Sequence, residues 1–355
     1  MALGGSIDQA PEFLVDKRGV QQALDAFVVA ARFDTTGNRA AFALGDGTLR
    51  IVRREAPAEW GSIAVHDGAA MALAADCRAG GFVTGGDDGK FCRIGADGTV
   101  STIASFGGRW VEQVASFPGS GKGKPDGLLA ASAGKRVQVF DDAGTLLKTL
   151  EHPSSVTGLA FDGRGKRIAA SHYGGATLWF VAAKTDSPRK LEWKGSHIGL
   201  AIHPEGEAVV TAMQENALHG WRLADGQHMR MSGYPSKTDA MSFSRGGKWL
   251  ASSGADAIVL WPFFGGGPMG KAPTELAGGD GVLCTQVACH PQQEMVAGGF
   301  ADGLVVLADI ASSRILPVVP PSGVPISTLA WNADGTLLAI GGEQGFAAMV
   351  DFAKR

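Results

Sequence analysis

The chain has 355 residues, 32 lysines and arginines against 35 aspartates and glutamates, a formal net charge of -3, and 52 glycines. Hydrophobic residues make up 45% and charged residues 19%, which excludes a disordered chain, and a charge this close to zero gives no global field for nucleic acid or anionic membrane. No apolar run approaches the roughly 18 residues of a membrane span, no basic-then-apolar leader opens the chain, and Cys77, Cys92, Cys284 and Cys289 contain no C-x-x-C pair, so we expect a soluble cytoplasmic protein without nucleic-acid or membrane partners.

Taken in chain order, one plan recurs. The alternating run Val28–Phe33 ends in the polar turn Asp34–Gly37, and a second apolar run, Ala40–Leu44, follows. The plan returns at Val156–Phe161, Asp162–Gly165 and Arg167–Ser171, and again at Ala240–Phe243, Ser244–Gly247 and Trp249–Ser252. Its clearest copy is Ile326–Trp331, Asn332–Gly335 and Leu337–Ile340. The residue before each turn forms an even series: Phe33, Ala75, Phe117, Phe161, Ile202, Phe243, Cys289 and Trp331, successive members lying 41 to 46 residues apart. A tight turn follows each second strand, often Asp-Gly as at Asp46-Gly47, Asp88-Gly89 and Asp302-Gly303, a pair that tolerates positive φ and signals a hairpin. A third apolar run (Ala176–Phe180, Ile258–Trp261) and a more polar fourth (Trp60–Val65, Val100–Phe106, Thr145–Leu150, Arg189–Trp193, Arg314–Val319) complete a four-stranded antiparallel unit.

A four-stranded unit of this length is one propeller blade. The strand ends Trp179-Phe180, Trp221-Arg222, Trp261-Pro262, Phe140-Asp141 and Val350-Asp351 stand where Trp-Asp falls in WD-repeat (WD40) β-propellers, and His66 and His152 stand where their Gly-His falls. Over essentially its whole length the chain resembles that family. No copy holds the complete His, Asp and Trp set, so the hydrogen-bonded tetrad of the family is expected to be degenerate. The eighth copy ends at Met349–Phe352 without a fourth strand of its own, and residues within Glu12–Phe27 can supply it. We therefore expect an all-β protein: an eight-bladed propeller of four-stranded antiparallel blades, one domain over residues 1–355, its ring closed by an N-terminal strand. Seven blades are the alternative and would leave one copy outside the ring.

In such a meander the first-to-second and third-to-fourth turns lie on one face of the disc. The second-to-third turns and the crossovers between blades lie on the other. Both tyrosines of the chain fall at crossover-face positions, and Tyr and Trp are the commonest interface anchors. The candidate partner-binding residues are Arg109, Trp110, His172, Tyr173, His197, Tyr234 and Lys237. The resemblance implies an interaction platform holding a partner protein. The alternative is a metal- or small-ligand-binding propeller serving metal homeostasis, with His152, His172 and His197 as its candidate ligands, although no ligand spacing supports a metal.

His203 and His290 occupy equivalent first-to-second turns and are expected to shape them. Trp179, Trp221 and Trp261 are expected in the core, and Cys289 as a buried, inert thiol. Gly119–Lys124 fails the phosphate-loop pattern and reads as an insertion, where Lys122 and Lys124 could join Arg164, Lys166 and Arg167 in a basic patch. We find no G-x-S-x-G, no H-E-x-x-H and no Gly-rich cofactor fingerprint, and expect neither an enzyme nor a cofactor.

Overall fold

The computed structural model describes residues 12–119, 127–279 and 281–353. In the first repeat Val28–Phe33, Arg39–Leu44, Thr48–Arg53 and Ala56–Ala64 pair in order as an antiparallel meander, and the later repeats follow the same plan. Burial within a repeat explains its sequence. Second strands such as Phe82–Gly86 and Leu128–Ala133 are buried along their whole length, because neighbouring repeats cover both sheet faces, and they read as unbroken runs of small and apolar residues. Outer strands such as Leu146–Glu151 are mostly exposed. The inner strands surround a central channel.

The described strands assemble into seven hydrogen-bonded sheets, six of four strands and one of six. This corrects the expectation of eight four-stranded blades and gives seven, the number held as the alternative; two repeats share the six-stranded sheet. The fourth and fifth repeats share the continuous strand Arg189–Ile202: its first half pairs with the fourth repeat (Leu191 with Ala176), its second half with the fifth (Leu200 with Thr211). Elsewhere a loop separates one repeat's outer strand from the next inner strand. Here Trp193-Lys194-Gly195 bulge from the ladder, pairing resumes at Ser196 opposite Tyr173, and the strand runs on through Gly195 at φ 119°.

The ring is closed by the N-terminal strand Gly19–Ala23, which pairs antiparallel with Phe346–Asp351 in the register Gly19 to Val350 through Ala23 to Phe346. The preceding short helix, Leu14–Arg18, buries Val15 among Leu307, Val318, Val319 and Val350. The backbone N–H of Leu24 donates to the carbonyl of Gly345 at 2.8 Å. Across the seam, the hydroxyl of Ser327 donates to Val28 O at 2.6 Å and the amide of Ala31 donates to Thr328 Oγ1 at 3.1 Å.

The residue after each anchor organises the first-to-second turn. Asp34 Oδ1 accepts the amides of Asn38 and Arg39, both at 3.1 Å, and Asp162 Oδ1 accepts those of Lys166 and Arg167 at 2.9 and 3.2 Å. His203 and His290 do the same through Nδ1, His290 accepting from Gln292 and Gln293, both at 3.0 Å. With Nδ1 as acceptor the proton sits on Nε2, which donates to the next repeat's turn: His203 to Gly247 O at 3.1 Å, His290 to Gly335 O at 2.9 Å. Asn332 reaches Gly37 O at 3.2 Å and so ties the last turn to the first.

Gly247 and Gly335 leave no room for a side chain. Gly335 has φ 74°, and a Cβ there would lie 2.1 Å from His290 Cε1. Gly335→Ala is expected to cost about 2–4 kcal/mol and several degrees of Tm. Because part of that cost is the clash, His290→Ala combined with Gly335→Ala is expected to melt above the sum of the two single losses, and strict additivity would refute the contact.

Among the described residues no helix is long and apolar enough to cross a membrane. Lys122 and Lys124 lie outside the described residues.

Candidate partner-binding face

The crossover face is built by second-to-third turns and inter-repeat crossovers. Trp110 and Arg109 sit on the crossover between Val100–Ser105 and Val111–Phe117, and both are exposed, Trp110 at 56%. Tyr173 caps the tight turn inside Arg167–Phe180 and is 67% exposed. Its ring stands between two cavities of this face. One, of about 520 Å³, is lined by His172, Trp179, Leu191 and Trp193, and the other, of about 310 Å³, by Met213, Glu215 and Arg230; Tyr173, Trp193 and Lys194 border both. Lys237 is exposed and pairs with Asp239 at 3.3 Å.

Three other candidates are not on the surface. Tyr234 is 8% exposed: Trp261 Nε1 donates to its hydroxyl at 2.6 Å, and that oxygen meets Ser252 Oγ at 2.6 Å. Burial pushes the Tyr234 phenol up to about 12, although Ser252 and Trp261 act against the rise. A buried hydroxyl is tolerated because it is hydrogen-bonded, so Tyr234 is a brace and not an anchor. His172 is buried, with Nε2 at 2.7 Å from Thr177 Oγ1 and Nδ1 at 2.9 Å from Tyr173 O. His197 is fully buried, with Nδ1 at 2.7 Å from Thr211 Oγ1 and Nε2 at 2.9 Å from Trp193 O. Burial lowers the His197 pKa.

The candidate metal ligands do not form a ligand set. The His152 and His172 rings lie 6.0 Å apart, but both nitrogens of His172 and of His197 are engaged, and His152 Nε2 accepts from Trp179 Nε1 at 3.1 Å. Among the described residues no group of three His, Cys, Asp or Glu is placed to hold a metal ion.

These contacts are remnants of one repeated brace. In the second repeat His66 Nδ1 lies 3.0 Å from Asp88 Oδ1 and its Nε2 lies 2.8 Å from Thr84 Oγ1, while Arg93 stands where a Trp would complete the set. Tyr234 and Ser252 are separated by 18 positions, as are His66 and Thr84, and Tyr234 and Trp261 by 27, as are His152 and Trp179. That shared spacing is the sequence signal that places Tyr234 inside.

Trp179, Trp221 and Trp261 are buried, as expected. All four cysteines are free. Burial pushes the Cys289 thiol up to about 12, and its Sγ donates to Ser242 O at 3.2 Å. Two features escaped the sequence reading. His219 stacks on Trp193 with ring centroids 4.0 Å apart, and its Nε2 meets His228 Nδ1 at 2.9 Å. On the opposite face Phe180 and Phe264 are exposed, Phe264 beside a cavity of about 220 Å³. Their third-strand and loop positions carry no polar pattern that marks exposure.

The family description "WD domain, G-beta repeat" (WD40) matches residues 144–179. Telomerase protein component 1 of Mus musculus is 23% identical over 350 residues, covering 94% of this chain and 12% of that protein. WD repeat-containing protein 90 of Homo sapiens is 24% identical over 258 residues, covering 64% of this chain and 14% of that protein. The chain thus spans a small part of the length of the curated relatives it matches. The crystal structure of the computationally designed Ika8 protein superposes with a TM-score of 0.73 at 18% identity, covering 93% of this chain and 98% of that one. The family match, the WD-repeat-named relative and the ring of sheets together support a WD40 β-propeller family. Propellers of this family generally mediate protein interactions.

Proposed function

We propose that this chain is a non-catalytic scaffold that holds a partner protein through its crossover face, with Tyr173 and Trp110 as exposed anchors. The observation that carries the reading is Tyr173: a large aromatic, two-thirds exposed, between two cavities that share Trp193 and Lys194 as borders. Rigid aromatics beside concave surface are what interface anchors require, because they bury much area for little conformational entropy. Arg109 and Lys237 extend the surface as exposed cations. The relatives named as a protein component of telomerase suit a role within a larger assembly.

In this proposal residues 1–355 act as one domain. Four free cysteines suit a reducing cytoplasm. The test is capture from native cells. Trp110→Ala with Tyr173→Ala is expected to reduce recovery of a specific companion at least tenfold, the loss of about 1.4 kcal/mol or more that one hot-spot residue commonly carries. Recovery of every companion at the wild-type level would refute the anchors.

A further inference from the structure

The central channel carries a feature unrelated to the crossover face. Its cavity, of about 730 Å³, is walled by inner strands of every repeat except the second. At the position just before the anchor the other repeats carry alanine or serine, as at Ala74, Ser116, Ala160 and Ala330, whereas the first carries Arg32. A guanidinium therefore projects into a ring otherwise kept wide by small side chains.

Arg32 makes one hydrogen bond to protein among the described residues, from Nη1 to Ala31 O at 2.7 Å. A guanidinium has five N–H donors, so four remain for a guest. No carboxylate lies within ion-pairing distance of it among the described residues. The acidic side chain lining the channel, Asp239, is paired with Lys237. Arg32 is exposed to the solvent of the channel, where the surrounding protein lowers its pKa with no carboxylate acting to raise it, and a group of this type remains charged. Gln113 and Gln286 bring carboxamides to the same cavity.

We propose that the central channel binds a tetrahedral oxyanion, free or carried on a small phosphomonoester, with Arg32 as the cation that holds it. The planar fork of Arg32 matches two oxygens of such a group. The volume lies within the range of small-ligand sites and exceeds what free phosphate needs.

The test is thermal unfolding of the full chain in phosphate-free buffer at constant ionic strength, with inorganic phosphate replacing chloride. Wild type is expected to gain about 3–5 °C at 10 mM phosphate and Arg32→Gln under about 1 °C. Glycerol phosphate in a second arm separates the sources: a larger gain assigns a phosphomonoester, an equal gain the free ion. Absence of a gain with either probe, or the same gain in Arg32→Gln, overturns the proposal. Should Arg32→Gln fail to fold, the phosphorus NMR line of phosphate mixed with wild type decides. Saturable broadening, reversed by excess sulfate, is expected, and an unbroadened line overturns the site.

Discussion

A chain from which Glu12–Leu24 has been deleted is expected to melt roughly 10 °C below the full chain and to aggregate as it does so. The deleted segment supplies the strand that pairs with Phe346–Asp351, and it buries Val15 and Leu24, each worth about 1.5–3 kcal/mol. With the backbone bonds from Gly19 to Ala23 the loss reaches about 5 kcal/mol, and at 2–4 °C for each kcal/mol in a large domain the fall is of that order. Deletion also bares the edge of a strand whose Ala347, Ala348 and Val350 are fully buried, a template for pairing between chains. The measurement is calorimetry with light scattering, the full chain as reference. An unchanged Tm with monodisperse scattering would show that the ring does not depend on the N-terminal strand.

Acid is the second large effect. Burial, helped by neighbouring His172, holds the His152 pKa down to about 4, and burial together with His228 holds His219 down to about 3. Both are buried, and the Nδ1 of each has no hydrogen-bond partner among the described residues. A folded pKa below the unfolded value of about 6.5 means that above pH 6.5 neither state binds the proton and stability is constant. As pH falls through 6.5 towards 4, the unfolded chain takes up protons that the folded one excludes, and stability is lost. For His152 the span corresponds to about 3 kcal/mol at pH 4. His197 and His290, also lowered by burial, add to the same slope. Asp46, Asp88 and Asp334 have lowered pKa values and act only below about pH 4, so the window from 6.5 to 4 belongs to the histidines. Denaturant unfolding across that range is expected to fall steeply for wild type and more gently for His152→Gln, which keeps an acceptor for Trp179. A stability flat from pH 7 to 4.5 would contradict the burial of these rings as neutral species.

The repeat, its turns and its closure were legible in the sequence because each rests on local chemistry. Asp34, Asp162 and Asn332 cap turns by bonding amides a few positions ahead, and His203 and His290 do the same from equivalent places. The missing outer strand of the last repeat pointed to residues before the first. Fusion of the fourth and fifth repeats was not legible, since it turns on whether three residues around Gly195 interrupt hydrogen bonding or only bend it. The burial of Tyr234 is encoded in register and not in residue type: a tyrosine at a crossover has the composition of an anchor, whereas its spacing from Trp261 matches that of His152 from Trp179. Exposure of Phe180 and Phe264 depends on how neighbouring loops pack, which no local pattern encodes.

Those two phenylalanines define the sharpest test of the scaffold. One companion-capture experiment compares wild type, the crossover-face pair Trp110→Ala with Tyr173→Ala, and the opposite-face pair Phe180→Ala with Phe264→Ala, all at matched Tm. A companion is expected to be lost with the first pair and retained with the second. Loss with the opposite-face pair and retention with the crossover-face pair would move the binding surface to the other side of the disc and contradict the account.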